Sequence, residues 1–82
     1  MTYQIEFKPQ ALKDLQALSA AESRRIVAKV EALGHDLAGD VKRLTNFTAE
    51  YRLRVGNYRV LFEVEGAKVV IYRVLHRKDA YK

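Results

Sequence analysis

Tyr51-Arg52-Leu53-Arg54-Val55-Gly56-Asn57-Tyr58-Arg59-Val60-Leu61-Phe62-Glu63 is the stretch on which the fold turns: two alternating runs of residues flank a Gly-Asn dipeptide. Gly-Asn can supply the positive φ angles that a two-residue hairpin turn needs, so the simplest reading is a β-hairpin that pairs Val55 with Tyr58, Arg54 with Arg59 and Leu53 with Val60. Side chains alternate across a strand, which puts Tyr51, Leu53, Val55, Tyr58, Val60 and Phe62 on one face and Arg52, Arg54 and Arg59 on the other. Like charges opposite one another on a sheet cost from a few tenths to about 1 kcal/mol per pair. Stability alone gives no reason for the triad; an anionic partner does. The plainer alternative is that each arginine is a solvated residue whose stem covers apolar surface.

The charge of the chain points the same way. Its net charge is +5, and residues 1–50 carry seven Lys+Arg against seven Asp+Glu, while residues 51–82 carry eight against three. The whole excess lies in the strand-rich half. Such asymmetry fits a polyanion such as nucleic acid, and equally a surface awaiting an acidic protein. The 82 residues make one small domain spanning 1–82, 49% hydrophobic and without cysteine. A single thin core must therefore close by packing, and thiol catalysis, zinc-ribbon chemistry and redox switching are excluded. No apolar run approaches the roughly 20 residues of a membrane span, and residues 1–10 lack the pattern of a signal peptide. A soluble, cytoplasmic protein that does not engage the membrane is expected.

Around the hairpin, residues 2–7 alternate with Tyr3, Ile5 and Phe7 on one side, as a first strand. Pro9 suits the first turn of a helix whose apolar stripe is Ala11, Leu12, Leu15 and Leu18. Ser19-Ala20-Ala21-Glu22 reads as a capping box, in which the Ser19 hydroxyl serves a helix N–H and the Glu22 carboxylate reaches back to the cap. The helix that follows buries Ile26, Val27, Val30 and Leu33 and stops at Gly34. Residues 35–46 lack a period and read as a connection; its Lys42 and Arg43 could reach a phosphate but read more plainly as solvated loop charges, and they stay unassigned. Beyond the Glu65-Gly66 turn, Val69-Val70-Ile71 is apolar on both faces, as in a strand inside the sheet. The expected fold is α+β, ordered β-α-α-β-β-β, with a two-helix hairpin packed on one face of a mostly antiparallel four-stranded sheet.

The chain closes with Arg73-Val74-Leu75-His76-Arg77-Lys78-Asp79-Ala80-Tyr81-Lys82. A connected antiparallel sheet can bring the exit of its last strand beside the central hairpin, so that His76, Arg77 and Tyr81 border the arginine surface. Period-two counting puts Arg77 on the core side, and it reaches the arginines only if the chain twists or bulges after Leu75.

The element order, the hairpin from Tyr51 to Arg59 and the ending His76-Arg77-Lys78-Asp79-Ala80-Tyr81 together resemble the RelE branch of the RelE/ParE toxin superfamily, over nearly the whole chain. The resemblance implies a small toxin of a type II toxin-antitoxin system that enters the ribosomal A site and cuts messenger RNA there. It also implies a cognate antitoxin as partner, in a toxin-antitoxin hetero-oligomer, with ribosome and mRNA as the other partners. Arg52 and Arg54 fall where that pattern has a basic pair, often lysines; Arg59 matches the arginine after the hairpin turn, and Arg77 and Tyr81 match the C-terminal arginine and tyrosine. Arginine keeps its proton far above neutral pH, so Arg52 and Arg54 are poor general bases even where a family lysine would serve. The chain ends one residue after Tyr81, and the C-terminal helix of some relatives is not expected.

The chemistry this set supports is RNA cleavage by the substrate's own 2′-hydroxyl, leaving a 2′,3′-cyclic phosphate and a 5′-hydroxyl, with no metal or cofactor. Guanidiniums aimed at the phosphoryl oxygens stabilise the charge that builds there. Arg59 and Arg77 take that role, Arg52, Arg54 and Lys78 bind the RNA, and Tyr81 stacks on a base or assists proton transfer. His76 is the further candidate for protonating the leaving oxygen, since the unperturbed pKa of a histidine, about 6.5, lies close to neutrality, against the alternative that it hydrogen-bonds backbone and holds the tail. The two histidines lie 41 positions apart and the carboxylates are scattered, which disfavours two-metal nuclease chemistry. Two other readings stand beside this one: a ParE-like toxin that inhibits DNA gyrase by binding, and an inactive RNA-binding domain.

Overall fold

The computed structural model describes residues 2–45 and 49–80. Its elements are β1 (Gln4–Phe7), α1 (Pro9–Gln16), α2 (Ala20–Ala32), β2 (Val41–Arg43), β3 (Tyr51–Val55), β4 (Tyr58–Glu65) and β5 (Lys68–His76), and the five strands form one sheet in the order β1-β5-β4-β3-β2. β1 runs parallel to β5; the other neighbours are antiparallel. The strand missing from the sequence reading is β2. Three residues are too short a run to show a period-two pattern, and pairing with β3 makes it a strand.

Among the described residues the two helices pack on one face of the sheet, α1 against β5 and α2 against β3. Ala11 and Leu15 of α1, Ile26 and Val30 of α2, and Leu33 beyond it meet Leu53, Val55, Val60, Phe62, Val69, Ile71 and Val74 from the sheet. Leu12, expected in the buried stripe, is 46% exposed. An eight-residue helix on the outer part of the sheet buries little more than its i, i+4 pair, and Leu12 lies about 100° round from Ala11. The Ser19 hydroxyl caps α2 by accepting from the Glu22 N–H at 3.2 Å. The reciprocal half of the box does not form, because the Glu22 carboxylate instead accepts from the Tyr58 hydroxyl at 2.9 Å. Gly34 serves by size rather than by a left-handed φ: Tyr3 N–H donates to its carbonyl at 2.9 Å, and a Cβ there would crowd the Glu31 and Tyr3 carbonyl oxygens.

The register between β4 and β5 slips once. Phe62 pairs with Ile71 but Leu61 pairs with Arg73, so Tyr72 is an extra residue on β5, a β-bulge. Every side chain after it changes face. Val74 and His76 turn to the helix side opposite Val60 and Tyr58, while Arg73 and Leu75 turn to the open side opposite Leu61 and Arg59.

Past Ile71, β5 also loses its β1 neighbour, whose ladder ends at Phe7. A strand edge left there would present unpaired N–H groups. Asp14 of α1 fills the gap: its carboxylate accepts from the Val74 N–H at 2.9 Å and from Arg73 Nε at 2.8 Å and Nη2 at 3.2 Å. Burial pushes the Asp14 carboxyl up, but hydrogen bonds from Arg73, Val74 and Gln10 and the charge of Arg73 outweigh it and hold the pKa below the ordinary value. A carboxylate with a lowered folded pKa contributes stability in full above its unfolded pKa of about 3.9, and loses it as pH falls through the folded value. Asp14→Ala, which orphans the Val74 N–H, is expected to cost about 1–3 kcal/mol in denaturant unfolding at pH 7. Asp14→Asn keeps an acceptor and costs less, and the difference between parent and Asp14→Ala shrinks in melts below pH 4.

Candidate functional site

The hairpin has the register expected of it: Val55 pairs with Tyr58, Arg54 with Arg59 and Leu53 with Val60. The turn uses one positive φ rather than two. Gly56 has φ 58° and Asn57 does not share the left-handed region, the pattern of a turn with glycine at its first central position. Glycine is needed there twice over, since a Cβ would also run into the Arg25 guanidinium that α2 lays over the turn.

On the face turned away from the helices, adjacent strands place side chains about 4.5–5.5 Å apart. One row across the sheet is Lys42, Arg52, Leu61 and Arg73; the next is Arg54, Arg59 and Leu75. Arg77 follows β5 directly, its N–H donating to the Asn57 carbonyl at 2.7 Å, so the ladder continues one step. Counted through the Tyr72 bulge, Arg77 has the parity of Arg73 and Leu75. The displacement that its placement required occurs upstream of Leu75, not after it. Arg77 and Lys78 are both exposed. Beside these rows an open groove of ≈ 980 Å³ has Leu61, Leu75 and Ala80 among its apolar lining and Lys8, Lys13 and Tyr72 among its other walls.

The arginines are oriented by the chain itself. Arg59 curls over the turn, its Nη1 donating to the Gly56 and Tyr58 carbonyls at 2.9 Å each. Arg52 and Arg54 both grip Asp40, in the loop before β2: Arg54 Nε lies 2.7 Å from Oδ2 and Arg52 Nη1 lies 3.2 Å from Oδ1. The hydrogen bond from Arg52, opposed by a smaller effect of burial and helped by the charges of Arg54 and Arg52, holds the Asp40 carboxyl below its ordinary pKa.

His76 lies on the helix side. It pairs with Tyr58, their rings 5.5 Å apart at 80°, and its Nδ1 accepts from the Lys78 N–H at 3.2 Å. The same bulge that gives Arg77 the parity of the open face puts His76 on the helix side. On that side the Glu22 carboxylate, by its hydrogen bond first and burial and charge second, raises the pKa of the Tyr58 hydroxyl. Tyr81 lies outside the described residues. Sequence reasoning left Lys42 unassigned and did not single out Arg73 or Asp40. Lys42 becomes part of the face only through β2, Arg73 only through the bulge, and a lone aspartate in a loop carries no pattern.

The relatives of the chain agree with this architecture. Residues 5–81 match the model of a family described as the ParE toxin of the type II toxin-antitoxin system, parDE. Toxin RelE3 of Methanocaldococcus jannaschii is 36% identical over 80 residues, spanning 92% of this chain and 91% of that one. Among solved structures, an archaeal RelE-RelB complex from Pyrococcus horikoshii superposes with a TM-score of 0.78 at 30% identity, covering 98% of this chain and 100% of the other. The RelBE2 toxin-antitoxin complex of Mycobacterium tuberculosis gives 0.83 at 27%, with 94% and 100% coverage. The chain belongs to the RelE/ParE superfamily of type II toxin-antitoxin toxins, on its RelE branch.

Because the turn carries both carbonyls that hold Arg59, its geometry is open to a direct check. Gly56→Ala forces a Cβ into the left-handed region, at about 1–2 kcal/mol, and displaces Arg25. The expected outcome is a thermal midpoint lower by about 4–8 °C per kcal/mol lost, read by circular dichroism.

Proposed function

We propose that this toxin is a ribosome-dependent endoribonuclease that cleaves mRNA in the A site and so inhibits translation, working in the cytoplasm and held inactive by a cognate antitoxin. One observation carries the reading: Arg52, Arg54 and Arg59 share the face turned away from the helices, and the bulge at Tyr72 gives Arg77, whose N–H continues the ladder to Asn57, the parity of that face. The relatives crystallised as RelB-RelE complexes support the antitoxin as partner.

In this mechanism the ribose 2′-oxygen attacks the adjacent phosphorus, its proton leaves, and the bond from phosphorus to the 5′-oxygen breaks as that oxygen takes up a proton. The products are a 2′,3′-cyclic phosphate and a 5′-hydroxyl. Arg59 uses Nη1 on the turn carbonyls, and its Nε–Nη2 edge is the one suited to a bidentate grip on phosphoryl oxygens. Arg77 approaches from the end of β5. Arg52, Arg54 and Lys78 hold flanking phosphates, and Tyr81 stacks on a base or assists proton transfer. A guanidinium is not a proton carrier at neutral pH, so the arginines here stabilise charge. His76, facing the helices with Nδ1 engaged by Lys78, acts as a packing residue in this scheme.

The second reading, inhibition of DNA gyrase by binding, keeps a place because the matching family is described by the ParE name. Cleavage of mapped mRNA on programmed ribosomes separates the two. The expected result is cleavage by the parent and a loss of roughly 10²–10³ in single-turnover rate for Arg59→Ala and Arg77→Ala, by analogy with removing one transition-state donor. Both variants should melt close to the parent, because neither loses core apolar area. Absence of cleavage by the parent, with gyrase inhibition, overturns the ribonuclease reading. In the same assay His76→Gln is expected to keep the parent's rate and pH profile, while Tyr81→Phe loses rate; the reverse pattern returns His76 to the proton path.

A further inference from the structure

Asp40 holds the position on the arginine face that an anionic ligand needs. Its two carboxylate oxygens divide between Arg54 Nε and Arg52 Nη1, as two oxygens of a phosphate would. Its main chain is anchored independently of the carboxylate by the Arg54 N–H, which donates to the Asp40 carbonyl at 3.0 Å; Arg52 Nη1, the nitrogen that meets Oδ1, also donates to that carbonyl at 2.8 Å. The carboxylate can therefore swing off while the residue stays in place. It is also accessible, with 47% of the side chain exposed against 14% for Arg52, so solvent and salt weaken its hold. Lys42 and Arg59 flank the same pair of arginines, opposite Arg52 and Arg54 respectively, and keep the local field positive for an incoming phosphate.

We propose that the Asp40 carboxylate is a built-in competitor for the RNA phosphate, occupying Arg52 and Arg54 in the free toxin and displaced when RNA docks. This rests on the reading of the arginine face as the phosphate-binding surface. The competitor offsets the mutual repulsion of the two guanidiniums in the empty protein and lowers affinity for stray polyanions, so that only an RNA chain held at several points displaces it. It differs from a residue that merely orients the arginines. An orienting Asp40 would be replaced adequately by asparagine and poorly by alanine, whereas a competitor is removed by both.

The test uses the full chain and a fluorescein-labelled single-stranded RNA whose 2′-hydroxyls are methylated, so that binding is read without cleavage. Dissociation constants are measured against KCl concentration for the parent, Asp40→Asn, Asp40→Ala and Asp40→Glu. Asp40→Asn and Asp40→Ala are each expected to bind more than about threefold tighter, with a slope of log K against log salt steeper by about 0.7 for each further phosphate neutralised. Asp40→Glu should stay near the parent. Binding by Asp40→Asn that is unchanged, weaker, or tighter by less than about threefold with an unchanged slope overturns the proposal. Circular dichroism melts of the same samples show that the protein measured is folded; the asparagine variant keeps both the main-chain anchor and the side-chain volume. If the parent fails to cut mRNA on ribosomes while Asp40→Asn tightens RNA binding, the ribonuclease reading falls and the competitor stands. If the parent cuts and the affinities do not move, the competitor alone falls.

Discussion

One residue of register, Tyr72, decides which side chains can act together. Without it, strict alternation from Ile71 would send Arg73, Leu75 and Arg77 into the space under the helices, and Val74 and His76 out to solvent. The bulge reverses both sets at once. It buries Val74 at 4% exposure and places His76 against Tyr58, and the same step opens Arg73, Leu75 and the parity of Arg77 to the other side. A bulge costs a ladder hydrogen bond and strengthens local twist. Here the disturbed stretch lies where β5 also runs past the end of β1, and Asp14 supplies from a side chain the acceptor that a neighbouring strand would have given Val74. Core completion and assembly of the cationic face thus depend on one irregularity, braced by one carboxylate.

The division between the two faces explains how a small sheet tolerates so much like charge. Phe62, Ile26, Leu33, Leu53 and Ile71 are fully buried on the helix side, each worth about 1.5–3 kcal/mol. A directly opposed pair of like charges costs a few tenths to about 1 kcal/mol. Burial on one side therefore outweighs repulsion on the other, side chain for side chain. The repulsion is also reduced locally, because Arg54 and Arg52 turn to Asp40 and Arg59 turns to the carbonyls of its own turn. Each arginine is held by the chain in a distinct direction rather than left in a common cloud of charge.

Local pattern made the hairpin, its register, both helices and the buried last strand legible, since each is decided by alternation, by helical spacing or by a capping residue within a few positions. What stayed hidden depends on contacts distant in sequence. β2 has three residues and exists by pairing with β3; Glu22 leaves the cap because Tyr58, 36 positions later, offers a hydroxyl; Leu12 is exposed because the short α1 meets the sheet along a narrow line. The site divides the same way. Arg52, Arg54 and Arg59 share a face by counting alone. Arg77 gains the parity of the open face only through a bulge that no residue type announces, and the same step gives His76 the parity of the helix side, beside Tyr58.

A face whose cationic groups are mostly guanidiniums has a chemical consequence of its own. Guanidiniums concentrate charge and direct hydrogen bonds, but at neutral pH they neither accept a proton from a 2′-oxygen nor give one to a departing 5′-oxygen. The histidine nearest to these arginines in sequence, His76, has a ring nitrogen engaged by the tail and packs edge-on against Tyr58 on the far side of the sheet. In the proposed ribonuclease these guanidiniums supply orientation and transition-state charge, and proton transfer comes from Tyr81, from water or from the ribosome that presents the RNA. In the proposed reaction the chain therefore carries the electrostatic half of the catalyst, and the proton-transferring half lies outside the arginine face.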